Sequence, residues 1–162
     1  MGRVNGKMNA MIYKFLFFFF SYLEKKYSLF ENGDHYISSY IIVGFTMAVN
    51  LFVIADVVCI LFLQSTVVAE IINNSMLFVG FAMIAISYLY FRKNNRRDTI
   101  YEEIGRFPVR KKITYGVYCL LYMVFSYGLW FVCNDIMCVL KTGYGLTYAE
   151  KIVHALNLKY WE

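Results

Sequence analysis

No lysine or arginine occurs between Lys26 and Arg92, and within that gap residues 38–64 hold one charged side chain, Asp56. A helix needs about 20 consecutive apolar residues to cross the ~30 Å hydrocarbon layer of a bilayer, and this stretch exceeds that length. The whole chain of 162 residues is 60% hydrophobic and only 17% charged, too little polar surface to wrap such a helix in water. Lipid is therefore the expected solvent.

The 16 basic residues fall into three groups. Arg3, Lys7, Lys14, Lys25 and Lys26 precede the first apolar run. Arg92, Lys93, Arg96, Arg97, Arg106, Arg110, Lys111 and Lys112 follow a second one, and Lys141, Lys151 and Lys159 lie in the tail. Cytoplasmic loops carry an excess of Lys and Arg, so the first two groups mark one side of the membrane. A second span is expected at residues 76–92, where Arg92 can snorkel to the interface. Its helix should continue past the membrane to residue 105, where Gly105 and Pro108 supply a stop. The third span is expected at residues 113–134. The connection after residue 64 has no basic residue; it carries Glu70 and the Asn73-Asn74-Ser75 turn and belongs outside. Three crossings put the amino end and the basic middle loop in the cytoplasm and the tail outside.

Residues 9–23 are apolar but too short to span, and Lys14 interrupts them. Lys7, Lys14, Ser21, Lys25 and Ser28 share a helical face opposite a wide aromatic face. An amphipathic helix over residues 8–28 is the expected result, lying in the cytoplasmic interface or tucked against the bundle. No small-residue cleavage site follows, so a signal peptide is disfavoured, and Met1 and Met8 both offer a start. A turn is expected at Asn32-Gly33-Asp34. In the tail, Thr147 and Glu150 have capping-box spacing. Ile152, Val153, Leu156 and Tyr160 share one side, giving a short amphipathic helix at 147–160 that ends in an interfacial Trp161. The expected fold is thus a single all-α membrane domain: an N-terminal interfacial helix, three transmembrane helices and a short amphipathic C-terminal helix.

Asp56 is the most informative side chain, because an acid near the middle of a span costs about 2.5–3.5 kcal/mol to insert and so faces protein or a wet cavity. It reads either as part of an ion or proton path with Asn50, or as a structural hydrogen bond to a neighbouring helix. Tyr115, Tyr118, Tyr122 and Ser126 follow spacings of three and four on one face of the third span. Their hydroxyls would want partners away from lipid, as pore lining or as a helix–helix zipper. Gly44 and Ala48 form a small-xxx-small pair that lets another helix approach closely. The eight basic residues between Arg92 and Lys112, mixed with Asp98, Glu102 and Glu103, suit anionic lipid headgroups, or alternatively a docked cytoplasmic protein or anionic ligand. Nucleic acid is not expected there.

Cys59, Cys119, Cys133 and Cys138 make no CxxC pair, and with only His35 and His154 there is no zinc spacing, so no metal is expected. No GxSxG, Walker or dinucleotide signature occurs, so no cofactor and no enzymatic activity is expected.

The aromatic start MIYKFLFFFFSYLEKK, the turn that follows it and the basic exit YFRKNNRRDTIYEEI resemble small three-span membrane proteins of Bacteroidota. Some membrane proteins of this general shape act as effectors in bacterial anti-phage defence. The resemblance implies the inner (cytoplasmic) membrane of a bacterium and a defence effector there; three thin spans bury little on their own, which points to a homo-oligomer that opens a pore or perturbs the bilayer. The alternative from the residues is an accessory or scaffold subunit that recruits a cytoplasmic partner through residues 92–112.

Overall fold

The computed structural model describes residues 2–27 and 36–161, with side chains over 11–26 and 36–161. The turn expected at Asn32-Gly33-Asp34 lies outside these residues, as does His35. Every regular element among the described residues is helical. Helix α1 is Gly2–Tyr27, and α2 is Ile37–Val58, continued by a π-helical turn, Cys59–Leu63. Then come α3 (Thr66–Arg92), α4 (Arg96–Gly105), α5 (Val109–Thr142) and α6 (Thr147–Ala155). Three stretches, Ile37–Leu63, Thr66–Gly105 and Val109–Thr142, are long and apolar enough to cross a membrane.

The helix ends are set locally, and three of them differ from the sequence reading. The π-turn closes when the Gln64 N–H donates to the Cys59 carbonyl at 2.8 Å, with Gln64 left-handed at φ 44°. Helix α3 starts at Thr66, far ahead of residue 76, because Val67, Val68, Ile71 and Ile72 extend the apolar side across the expected connection. At its other end the helix does not run unbroken to residue 105. Asn94 and Asn95 adopt φ 56° and 53°, a conformation that asparagine tolerates better than most residues, and the chain re-enters a helix only at Arg96. In the tail, Thr147 lies inside α6, and Leu146 precedes the helix without a side-chain cap. The capping box therefore does not form; Glu150 Oε1 instead accepts from the Gly145 N–H at 3.3 Å.

The chain divides into two compact units, Met1–Thr46 with Phe81–Met123 and Met47–Gly80 with Val124–Glu162. The first is built on aromatic stacking. Phe17 is fully buried, with its ring centroid 4.3 Å from Phe91, 5.5 Å from Tyr40 and 5.6 Å from Tyr36. Phe15 stacks on Tyr115 at 4.4 Å, the Cys119 thiol reaches the Ile12 carbonyl, and the Tyr13 and Tyr122 hydroxyls lie 3.2 Å apart. As α1 runs back from Phe15 to Ile12, α5 runs on from Tyr115 to Tyr122, so the two helices are antiparallel.

Of the two placements expected for the helix over residues 8–28, in the interface or tucked against the bundle, the packing of α1 on its neighbours matches the second. Ser21, assigned to the polar face, is buried between the Phe17 carbonyl at 2.7 Å and the Ser39 hydroxyl at 2.8 Å. With Leu16, Phe17 and Glu24 buried as well, α1 is a packed member of the unit. Gly44 lets α2 meet α3: a Cβ on it would lie 2.5 Å from the Ile84 Cα and 2.9 Å from the Met83 carbonyl oxygen.

The second unit packs the end of α2 and the start of α3 with α6 and the second half of α5. Cys59, Ile60, Ala69, Cys133, Ile136, Leu140, Ala149 and Val153 belong to one buried cluster. Trp161 joins it, and its backbone N–H donates to the Leu140 carbonyl at 2.8 Å. The tail is thus folded back onto α5. Asn134 and Asp135 continue that helix, where the sequence reading ended the span.

Candidate functional site

Helical spacing sets the environment of Asp56. Phe52, Asp56, Cys59 and Ile60 follow one another at four, three and one residues, and all four are buried, so the acid lies on the inward stripe of α2. Asp56 is 1% exposed, and its Oδ2 has no hydrogen-bond partner among the described residues. Its carboxyl lies within electrostatic range of Cys59 and Cys133. A buried polar oxygen without a partner is uncommon and costly, and the cost is much larger if the group is charged.

The other polar positions read from the sequence do not share one environment. Asn50 is half-buried, Ala48 is buried on α2, and Ser126 is buried on α5, all in the second unit. Tyr115, Tyr118 and Tyr122 belong to the first unit. Tyr115 stacks on Phe15 and Tyr122 meets Tyr13, so their partner is α1. Tyr118 is 60% exposed. The line of three phenols therefore splits, two turned toward α1 and one outward.

The basic segment is organised by aromatic rings. Arg92 hydrogen-bonds the Tyr88 hydroxyl. Arg96 sits 4.6 Å from the Tyr90 ring centroid, Arg97 5.0 Å from Tyr36, and Lys111 4.0 Å from Phe107. Arg106 pairs with Glu102 at 3.5 Å, while Lys93 and Arg110 are exposed. Cations over ring faces gain about 0.5–1 kcal/mol at exposed sites, and this arrangement holds their charges in a fixed layer.

At the centre of the layer is a group that the sequence reading did not single out. Lys25 donates to the Tyr36 hydroxyl at 3.0 Å, and that hydroxyl donates to Asp98 Oδ1 at 2.9 Å. Lys25 also lies 4.0 Å from the Tyr101 ring centroid. Burial, reinforced by the Asp98 carboxylate, pushes the Tyr36 phenol up to about 12, so it remains a donor. The i,i+4 pairs Tyr88–Arg92 and Phe107–Lys111 were available from spacing alone. The Lys25–Tyr36–Asp98 chain was not, because it joins residues from α1, the start of α2 and α4.

Among the described residues no three His, Cys, Asp or Glu side chains gather where they could hold a metal ion. A crevice of about 160 Å³ in the second unit is bordered by Asn73, Asn134 and Lys141, and Lys141 is held by Glu70 at 2.6 Å. No family model matches the chain, and neither a curated protein nor a solved structure matches it.

Proposed function

We propose that this chain is a small integral protein of a bacterial inner membrane that acts as a homo-oligomer, opening or perturbing the bilayer. The observation that carries the reading is the apolar surface left uncovered. In the most apolar windows of the second and third spanning stretches only 11% and 17% of residues are buried, against 39% in the first. Leu77, Phe78 and Phe81 on α3 and Leu121 and Phe125 on α5 are all more than half exposed. A soluble monomer rarely exposes so continuous an apolar surface; lipid and further copies of the chain are its natural cover.

Asp56 supplies the functional half. A buried carboxyl with one oxygen, Oδ2, left without a partner among the described residues is a position within an apolar span where a proton or cation would be accepted. With Asn50 it is the polar point of the proposed path. Gly44 is taken up by α3 of the same chain, so contacts between copies fall to the exposed faces of α3 and α5. The role in anti-phage defence comes from the resemblance, and it sets the cellular readout: growth arrest on triggering.

The test joins oligomeric mass in nanodiscs to conductance in planar bilayers. A discrete oligomer with conductance that falls on Asp56→Ala and Asn50→Leu is expected. Conductance untouched by both substitutions would remove these residues from the path. A monomer without conductance would favour the scaffold reading, which draws on the exposed charges of Lys93 and Arg110. Pull-downs lost on charge reversal at Arg96, Arg97, Arg110 and Lys111 would then support it.

A further inference from the structure

Between α1 and the first half of α5, the first unit leaves an open groove of about 580 Å³. Phe15 and Phe19 of α1 and Ile113 and Leu120 of α5 form its walls, and Gly116 lies along it. Lys112 is the one charged side chain among its lining residues. Gly116 keeps the groove open: a Cβ there would meet no heavy atom within 4 Å, so a larger side chain would occupy space that is now empty.

Length and charge point to the occupant. Along α5 the groove runs from Val109 to Leu120, about 16 Å at 1.5 Å per residue, which is half the ~30 Å hydrocarbon thickness of a bilayer. That is the depth of one leaflet. Lys112 stands near the end at which α5 begins, where the basic segment meets the helix. Its ammonium donates to the Gly105 carbonyl at 2.5 Å, which uses one of three N–H donors and leaves two for an anion. Lys111, one residue earlier, is turned to Phe107 and Tyr115 instead. A peptide strand in the groove would leave backbone polar groups unsatisfied against apolar walls. A hydrocarbon chain has none to satisfy, and a phosphate at its head matches the single lysine.

We infer that this groove binds one anionic phospholipid, with an acyl chain lying along Gly116 and the headgroup phosphate on Lys112. The inference rests on the proposed membrane insertion, so the experiment separates the two. Membranes are first washed with alkaline carbonate; release of the protein would overturn insertion itself. Full-length protein that stays in the membrane is purified in a maltoside detergent and titrated with dioleoyl phosphatidylglycerol or dioleoyl phosphatidylcholine. Native mass spectrometry counts the bound lipids.

One phosphatidylglycerol should bind ahead of all others, about fivefold more tightly than phosphatidylcholine, the effect of one lysine beside an anionic headgroup. Lys112→Gln should make the two lipids equal, and Gly116→Phe should abolish the first binding step for both. Gly116→Leu repeats the test with a smaller group should the Phe variant fail to fold. Equal affinity for the two lipids in the unaltered protein, or an unchanged first step in both Gly116 variants, overturns the proposal. A dimer that forms on delipidation and is lost in Gly116→Leu also overturns it, in favour of a second copy as occupant.

Discussion

Gly44 and Tyr36 show how single side chains set the first unit. At Gly44 the nearest obstacles to a Cβ are backbone atoms, the Ile84 N and Cα at 2.8 and 2.5 Å, and backbone cannot rotate away as a side-chain tip can. Gly44→Val should therefore force α2 and α3 apart and cost about 1–3 kcal/mol by overpacking. Thermal unfolding in detergent will read this as a lowered midpoint, and an unchanged midpoint would show that α3 yields freely. Tyr36 carries a second prediction, in pH. Its phenol is raised from 10.0 to about 12, so the folded state holds the proton more tightly than the unfolded chain. The associated stability is complete below pH 10 and is lost as pH rises through about 12. Tyr36→Phe should abolish that alkaline loss and cost about 1 kcal/mol at neutral pH, the net worth of one hydrogen bond. Of these two residues, Gly44 was legible beforehand from its spacing to Ala48. Tyr36 was not, since nothing in its neighbourhood of the sequence announces Asp98.

At the scale of elements, hydropathy located the long helices because their length and apolar character do not depend on what they pack against. The ends were harder, since they are decided by one or two residues. The stop after Arg92 is set by two left-handed asparagines, and a pair of asparagines in a polar run reads as easily as a solvated helical turn. The prediction concerns this corner. Asn94→Gly removes the Cβ that disfavours φ 56° and should leave stability within about 1 kcal/mol of the original. Asn94→Ile should cost about 1–2 kcal/mol and loosen α4 first, because α4 begins at this turn. Hydrogen exchange would show this as faster exchange at Ile100 and Ile104, the two buried residues of α4, with the buried part of α5 unchanged. The choice for α1 between the interface and a place packed on the bundle was beyond the sequence for a different reason. A face that alternates Phe17, Ser21 and Glu24 looks mixed until Ser39 of another helix answers it.

For the whole molecule, the proposed topology follows from the segregation of charge, and the four cysteines allow it to be checked without altering the chain. Cys59, Cys119 and Cys133 are buried, and Cys138 alone is exposed. It lies near the end of α5, beyond the apolar segment and close to Lys141 and Thr142, with which it borders the same small crevice. If the basic residues between Arg92 and Lys112 are cytoplasmic, as the positive-inside tendency requires, one crossing by α5 carries Cys138 to the opposite face. A membrane-impermeant maleimide added to intact spheroplasts should then modify one thiol per chain, and Cys138→Ser should remove the signal. Labelling only after the membrane is permeabilised would reverse the orientation and put the basic layer outside, where its attraction for anionic cytoplasmic-leaflet lipids would be lost. Labelling of several thiols would mean that the buried cysteines open to water on the time scale of the reaction. Cys59 and Cys133 lie close to Asp56, so added reactivity at those two alone would trace water entering along the proposed polar path.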